Sequence, residues 1–137
     1  MENRVTPAIF RIKSYHFTKA SLNFDISYDA PLNISFDPTG EYSAGDGEFL
    51  LSLTTRITTD EEEFLKVDCQ VIYQFDSSVP FKDIPDYFYP NCLAIIFPYI
   101  RSFIGTLSLQ ANIQPIILPI INLAHLKSSL KENTVER

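Results

Sequence analysis

The segment that decides the fold runs from Tyr89 to Leu126 and is YPNCLAIIFPYIRSFIGTLSLQANIQPIILPIINLAHL. It contains 23 consecutive residues without a formal charge, Ser102 to Ala124, in a chain whose net charge is −6. A chain of 137 residues has a high ratio of surface to volume, so one small sheet cannot cover all of this apolar surface. The segment therefore predicts that a second copy of the chain, or a bound apolar polymer, covers the remainder.

The first part of this segment has helical spacing on two flanks. One stripe recurs at spacings of three and four and consists of Leu93, Ile96, Phe97, Ile100, Ile104 and Leu107. A second stripe, at spacings of four, consists of Ile95, Tyr99 and Phe103. A helix that is apolar on two flanks must be covered on both, so the second stripe predicts a subunit interface. We expect Pro98 to bend this helix unless another group satisfies the carbonyl that it frees.

The second part of the segment is an extended apolar connector, residues 111–121, in which Pro115 and Pro119 restrict the backbone. Asn122 is the expected N-cap of a last amphipathic helix. That helix carries Leu123, Leu126 and Leu130, and we expect it to fray in the polar tail, residues 131–137.

Upstream, apolar residues alternate with polar ones, which predicts half-buried strands. The alternation uses even positions in residues 22–28 and 32–36, and odd positions in residues 49–57 and 65–75. The last two strands are joined by the acidic turn Asp60 to Glu63, which predicts a long hairpin with one wet face.

Two further features complete this part of the chain. An extended segment starts at Ile9, and its phase is blurred near residues 15–18, as a bulge would do. The glycines of residues 38–47 predict a loop. The whole chain, residues 1–137, is therefore predicted to be one α+β domain: a four-stranded antiparallel sheet in residues 8–76, followed by two helices and the connector in residues 86–132.

Composition excludes several classes of partner. The net charge of −6 is the wrong sign for nucleic acid or an anionic membrane surface. The start of the chain is too charged for a secretory signal, and prolines interrupt the uncharged run, so we expect neither export nor direct membrane insertion. Cys69 and Cys92 lack the company of a disulfide framework and are expected to be buried free thiols in the cytoplasm.

The sequence offers no convincing catalytic group. The histidines, His16 and His125, have no evident partner, although pairing of either with Cys69 or Cys92 stays open. The acids of residues 60–63 lack the alternating oxygen ligands of a calcium loop, and the chain has only 4 glycines, with no phosphate-binding loop. We expect no enzyme activity, no metal and no cofactor, although a small-molecule enzyme is kept as a third hypothesis.

The order of elements and several motifs resemble the bacterial export chaperone SecB. Residues 89–92, Tyr-Pro-Asn-Cys, and residues 97–101, Phe-Pro-Tyr-Ile-Arg, look like the proline-rich first helix of that family, with two residues inserted between the halves. The run Pro115 to Pro119 and the pair Asn122-Leu123 match the family's connector and the start of its second helix. Residues 10–19 are similar to its first strand.

This resemblance implies a cytoplasmic homotetramer, a dimer of dimers, that binds unfolded polypeptides without nucleotide and passes preproteins to the SecA motor. It implies a hydrophobic peptide groove along the connector, lined by Ile113, Ile116, Ile117, Leu118, Ile120 and Ile121, with aromatic cover from Tyr42, Tyr87 and Phe88. It also implies motor contacts from the acidic outer face of the sheet, best matched by Asp25 and Asp68. Asp29 is the alternative to Asp25, because residues 25–31 align in two registers.

The chain departs from the family pattern at a position of the motor-binding face and in the aromatic cover of the groove. Ala20 occupies an acidic position in one register, the loop before the second strand is short, and the chain contains no Trp. The resemblance therefore supports polypeptide binding more strongly than delivery to the motor. The alternative is a SecB-like interaction chaperone dedicated to a single client, such as an antitoxin.

Overall fold

The computed structural model describes residues 9–25, 32–60, 62–119 and 123–137. Within these residues the chain forms a mixed α+β fold, as predicted. Its elements are β1 (Phe10–Leu22), β2 (Asn33–Ser43), β3 (Glu48–Thr59), β4 (Glu62–Phe75), α1 (Phe88–Gln110), α2 (Lys127–Glu132) and β5 (Thr134–Glu136), with short 3-10 turns at Phe81–Asp83 and Leu123–Leu126. The strand order in the sheet is β1-β4-β3-β2-β5.

The predicted long hairpin is confirmed as β3 and β4. The two strands pair antiparallel in a register that sets Phe49 opposite Tyr73 and Ile57 opposite Leu65. Because side chains alternate across a strand, the odd-numbered residues from Phe49 to Thr59 and from Leu65 to Phe75 point to one face, where they are buried. The even-numbered residues form the outer face. At the turn Asp60 has φ +49°, a left-handed conformation that Asp tolerates better than most residues.

The irregular first strand is also confirmed. The pairing of β1 with β4 shifts register twice, between Ile12 and Ser14 and between Phe17 and Lys19. Each shift adds one residue to β1, so Tyr15 and Phe17 stay on the same face as the buried side of β4. The strand ends at Leu22, which is therefore not the start of a second strand. The rest of the strand expected there, residues 26–28, lies outside the described residues.

The prediction of a loop in residues 38–47 is wrong for most of that range. Strand β2 extends to Ser43, and only residues 44–47 form a turn, in which Gly47 has φ +65°. Pro38 is compatible with β2 because β5 begins to pair only at Gly40, so the missing N–H need not interrupt that ladder. Residues that favour turns predicted a loop here, but pairing with β3 and β5 keeps residues 38–43 in a strand.

The predicted fraying of the C-terminal tail is wrong as well. Residues 134–136 form β5, which pairs in parallel with residues 40–42 of β2. The backbone N–H of Gly40 donates to the Asn133 carbonyl at 3.2 Å, and the Arg137 N–H donates to the Tyr42 carbonyl at 2.8 Å. A Cβ at Gly40 would lie 2.4 Å from the Phe49 ring and 2.7 Å from Thr134 Oγ1. Only glycine fits this crossing.

Helix α1 covers the inner face of the sheet with the first of its two predicted stripes. Leu93, Ile96, Phe97, Ile100 and Ile104 are all buried, and the ring of Phe88 packs among core aromatics. The helix continues through Pro98, which is exposed. The carbonyl that Pro98 frees belongs to Ala94, which is also exposed, so water can satisfy it.

Helix α1 has 23 residues, and an 18-residue stretch of it has a mean hydropathy of 1.6, so it is long and apolar enough to cross a membrane by length and composition alone. The core helix of a soluble protein has the same properties. The first stripe of α1 packs against the sheet of this chain, so the apolar character of α1 is accounted for in part by the core.

Candidate functional site

The connector leaves α1 through a well-defined helix end. Asn112 adopts a left-handed conformation, with φ +59°. Its N–H donates to the Leu109 carbonyl at 3.0 Å, and the N–H of Ile113 donates to the Ser108 carbonyl at 3.2 Å. These two bonds are those of a Schellman motif, with Asn in the position usually held by Gly. The motif ends the helix and sends the chain back along it.

The hydroxyl of Ser108 then fixes the connector against α1. It accepts a hydrogen bond from the Ile116 backbone N–H at 2.9 Å and donates one to the Gly105 carbonyl at 2.8 Å. Ser108 is fully buried, so this hydroxyl satisfies a backbone donor that water does not reach. The position of Ile116 along the helix is therefore set by one side chain.

Two cavities open on either side of the connector. The strand-side cavity, about 440 Å³, is lined by Leu32, Ile34, Gln114, Pro115, Ile116, Ile117, Leu118 and Pro119. The helix-side cavity, about 340 Å³, is lined by Pro98, Arg101, Ser102, Gly105, Ile116 and Ile117. Ile116 and Ile117 belong to both, so the cavities form one interrupted groove across the connector.

Alternate residues of the connector have opposite environments. Ile116 and Leu118 are 3% and 1% exposed and pack into the core, whereas Ile117 between them is 73% exposed. An isoleucine in this position contacts water although two apolar cavities adjoin it. Covering its side chain would contribute about 1.5–3 kcal/mol, which makes Ile117 the strongest candidate for contact with a bound molecule.

A structure search relates this architecture to a known fold. A SecB-like chaperone from Mycobacterium tuberculosis, solved in complex with a peptide from an antitoxin, superposes with a TM-score of 0.63. The superposition covers 82% of this chain and 87% of that chain, at 14% sequence identity. The chain has a SecB-like fold. The resemblance inferred from the proline-rich helix and the connector is thereby confirmed at the level of the fold, with a fifth strand added to the four expected.

Similarity in sequence to known proteins covers less of the chain than similarity in structure. No family model matches the chain. An uncharacterized protein of Methanocaldococcus jannaschii is 48% identical over 42 residues, which is 31% of this chain and 27% of that protein. The chain therefore matches only about a quarter of that relative's length. A protein of unknown function from Streptococcus agalactiae superposes over 85% of this chain with a TM-score of only 0.38, at 9% identity.

The predicted groove residues of this SecB-like chain fall into three groups. Ile116, Ile117 and Leu118 line one or both cavities. Ile113 is half-buried against the core and lines neither cavity. Ile120 and Ile121 lie outside the described residues. Of the described groove residues, Ile117 is the one that the connector exposes most, and peptide binding along the connector stays a prediction.

The aromatic cover predicted for the groove is placed differently. Tyr42 is fully buried, and its hydroxyl donates to the Val79 carbonyl at 2.7 Å. Phe88 is also fully buried. Both are core residues in this conformation, so neither ring is available to a ligand. Tyr87 is 41% exposed at the N-cap of α1, outside the lining of either cavity.

The second stripe of α1 is covered in part by its own chain. The Phe103 ring stacks on Phe17 of β1, with centroids 4.0 Å apart, and the Tyr99 and Tyr15 rings lie 4.7 Å apart. Nevertheless Ile95, Tyr99 and Tyr15 remain 39%, 42% and 41% exposed. We call these three residues the edge patch, since β1 is an edge strand of the sheet. Coverage by a partner chain stays a prediction.

The predicted motor-binding acids lie apart from the connector. Asp68 is on the outer face of β4, where its carboxylate accepts a hydrogen bond from Thr54 at 2.7 Å and Lys19 is its register partner on β1. Asp25 is exposed in the turn after β1, and Asp29 lies outside the described residues. The surroundings of Asp68 are therefore mixed in charge rather than uniformly acidic.

Burial governs the chemistry of the cysteines. Cys69 and Cys92 are free and buried, as predicted. Desolvation raises the pKa of the Cys69 thiol to about 11 and also raises the pKa of Cys92. At neutral pH both are thiols, the less nucleophilic form. His16 faces outward opposite Gln70, on the other side of the sheet from Cys69. Within the described ranges, no group of three or more His, Cys, Asp or Glu residues could hold a metal ion.

Sequence reasoning missed three contributors to the groove. Ser108 could have been noticed, since it continues the buried stripe four residues after Ile104 and is its one polar member. Gly105, in the middle of an apolar helix, was a second available signal. Arg101 enters the sequence analysis only as the last residue of the Phe-Pro-Tyr-Ile-Arg motif, because nothing in the sequence shows that the connector folds back beside it.

Proposed function

We propose that this chain is a molecular chaperone that binds unfolded or partly folded polypeptides across the connector. The observation that carries the proposal is Ile117, an exposed aliphatic residue between two cavities lined almost wholly by uncharged groups. A SecB-like fold supports it, and so does the peptide bound to the related mycobacterial chaperone.

An unfolded chain suits this groove for physical reasons. It offers apolar side chains that a folded protein hides, and its main chain can hydrogen-bond without a defined sequence. Binding to the unfolded state alone shifts the client's equilibrium away from aggregation and folding by mass action, so the activity needs no nucleotide. We propose no catalytic step.

The direct test is suppression of aggregation. Purified protein is mixed with a chemically unfolded client on dilution from denaturant, and light scattering is followed with and without ATP. We expect scattering to fall to near zero once the chaperone is stoichiometric, with no effect of ATP. Undiminished scattering at a several-fold excess of chaperone, with several different clients, would contradict a general chaperone and leave only one dedicated to a single client.

Two client ranges are compatible with the groove. A general chaperone for preprotein export would bind many unfolded proteins, whereas a dedicated chaperone would hold one client, as favoured by the antitoxin peptide in the related structure. Competition separates them, since several unrelated unfolded proteins should displace one another only from a general chaperone. Action in the cytoplasm and delivery to the SecA motor, with Asp25 and Asp68 as contacts, belong to the general alternative.

We further propose that the edge patch contributes to a homotetramer, a dimer of dimers. Tyr99→Asp places a charge among Tyr15 and Ile95, so we expect the variant to dissociate to a smaller species at least tenfold more readily on dilution. Size-exclusion chromatography with light scattering measures this. Tyr87→Asp is the matched control, because Tyr87 is 41% exposed but lies outside the patch. Equal dissociation of both variants, or of neither, would argue against this interface.

A further inference from the structure

The helix-side cavity contains a glycine that the fold does not need. Gly105 is in the interior of α1, where glycine is among the least favourable residues. A Cβ added there would meet only the Ile116 carbonyl oxygen, at the ordinary contact distance of 3.8 Å. Neither backbone conformation nor packing within the chain therefore requires glycine. Its effect is to leave the floor of the cavity open beside Ile116 and Ile117.

Arg101 lies one helical turn before Gly105 and so on the same flank of α1. It is exposed, and within the described part of the chain it is the one charged residue that lines either cavity. Two other arginines are paired, Arg11 with Asp76 and Arg56 with Asp37. Among the residues that the structure describes, Arg101 has no ion pair or hydrogen-bond partner. Its guanidinium is therefore available at the mouth of an otherwise uncharged groove.

We propose that the helix-side cavity receives a carboxylate of the bound polypeptide, which pairs with Arg101 while an adjacent apolar residue covers Ile117. This inference rests on the proposed function and specifies its substrate: apolar segments flanked by an acidic group. A guanidinium presents a planar fork of donors that matches a carboxylate, and a bound client would exclude water from the pair and strengthen it.

The net charge of the chain opposes acidic clients, so the two effects must be compared. Charges more than about 8–10 Å away are largely screened at physiological ionic strength, whereas a partly covered contact pair is screened much less. No carboxylate among the described residues lines either cavity, so we expect the local pair to outweigh the repulsion and to persist at salt concentrations that abolish long-range effects.

The test uses four fluorescent peptides with one apolar core. Three have an amidated C-terminus and carry Glu, Gln or Lys directly before the core. The fourth has the sequence of the Gln peptide, but it ends directly after the core in a free C-terminal carboxylate. With the wild-type protein we expect the Glu peptide to bind about three- to tenfold more tightly than the Gln peptide, and the Lys peptide most weakly. A gain for the fourth peptide identifies a terminal carboxylate as a second source of the same chemistry.

Variants of the protein assign the preference to Arg101. Arg101→Gln should abolish the difference between Glu and Gln peptides, and Arg101→Glu should reverse the order so that the Lys peptide binds best. Lys82→Glu is the matched control, since it makes the same change in net charge at an exposed site away from the groove; it should keep the wild-type order. Gly105→Leu should weaken all four peptides by filling the cavity.

Each outcome bears on the inference separately from the proposed function. Equal binding of the Glu, Gln and Lys peptides, with client aggregation still suppressed, would overturn the inference and leave the chaperone proposal standing. The same applies if Lys82→Glu alters the order as much as Arg101→Glu. If no peptide binds and aggregation is not suppressed, both fall together.

Discussion

Ile117→Ser is expected to weaken binding of an unfolded client by about 10- to 100-fold. The estimate follows from losing an isoleucine side chain whose burial contributes about 1.5–3 kcal/mol, at 1.4 kcal/mol for each tenfold change in Kd. Because Ile117 is 73% exposed in the free chain, the free energy of unfolding should change by less than about 0.5 kcal/mol. Fluorescence anisotropy with a reduced and alkylated polypeptide, together with a denaturant titration, measures both quantities.

A matched control exists at the other end of the sheet. Ile9 is 57% exposed and distant in sequence from the connector, so Ile9→Ser removes the same surface hydrophobe outside both cavities. It should leave client affinity unchanged. If the Ile9 and Ile117 variants lose affinity equally, or if Ile117→Ser binds like the wild type, the connector is not the binding site. Ile116→Ser does not discriminate, because Ile116 is buried and the change would also destabilise the fold.

Phe88→Ala is expected to cause the largest loss of stability, about 3–5 kcal/mol. The ring is fully buried and lies at the centre of an aromatic cluster, with centroids 4.7 Å from both Phe10 and Phe49 and 5.0 Å from Phe75. Truncation loses the burial of the ring and leaves a cavity that several rigid neighbours cannot fill. Chemical denaturation at fixed protein concentration measures the change, since oligomerisation would make stability concentration-dependent.

Two companion variants keep this prediction testable. Phe24→Ala removes the same side chain at a site that is 67% exposed and should change the free energy of unfolding by less than about 0.5 kcal/mol. Phe88→Leu retains most of the volume and should still fold, at a smaller cost. A loss below about 1 kcal/mol for Phe88→Ala would mean that the ring is not part of the core, and Phe88 could then serve as aromatic cover of the groove.

Periodicity explains how much of the fold could be predicted. The strict alternation of β3 and β4 and the stripe from Leu93 to Ile104 depend on which face of an element is buried, and the sequence carries that information directly. The tail that forms β5 and the second half of β2 carry no such signal. Their residues favour turns or solvent locally, and they become strands because Gly40 allows β5 to approach within contact distance of β2.

The sequence predicts which segment forms the candidate site, but not which of its residues are exposed. Prolines and isoleucines identify an extended connector, but an extended chain has no fixed face until something holds it. Ser108 fixes which face of the connector is buried, because its hydroxyl accepts a hydrogen bond from the N–H of Ile116. The burial of Tyr42 and Phe88 was likewise unpredictable, because the rings that pack against them come from three strands, β1, β3 and β4, and from the 3-10 turn and helix start that follow, which are far apart in sequence.

The Ser108 hydrogen bonds bear on the thermodynamics of capture. Since Ser108 holds the connector at Ile116 once the chain has folded, the configurational entropy of its described part, residues 111–119, is already lost before a polypeptide binds, and only the polypeptide has to be ordered. We therefore expect fast association and a small loss of conformational entropy in the chaperone. A binding segment that is disordered in the free protein would lose more entropy each time it binds.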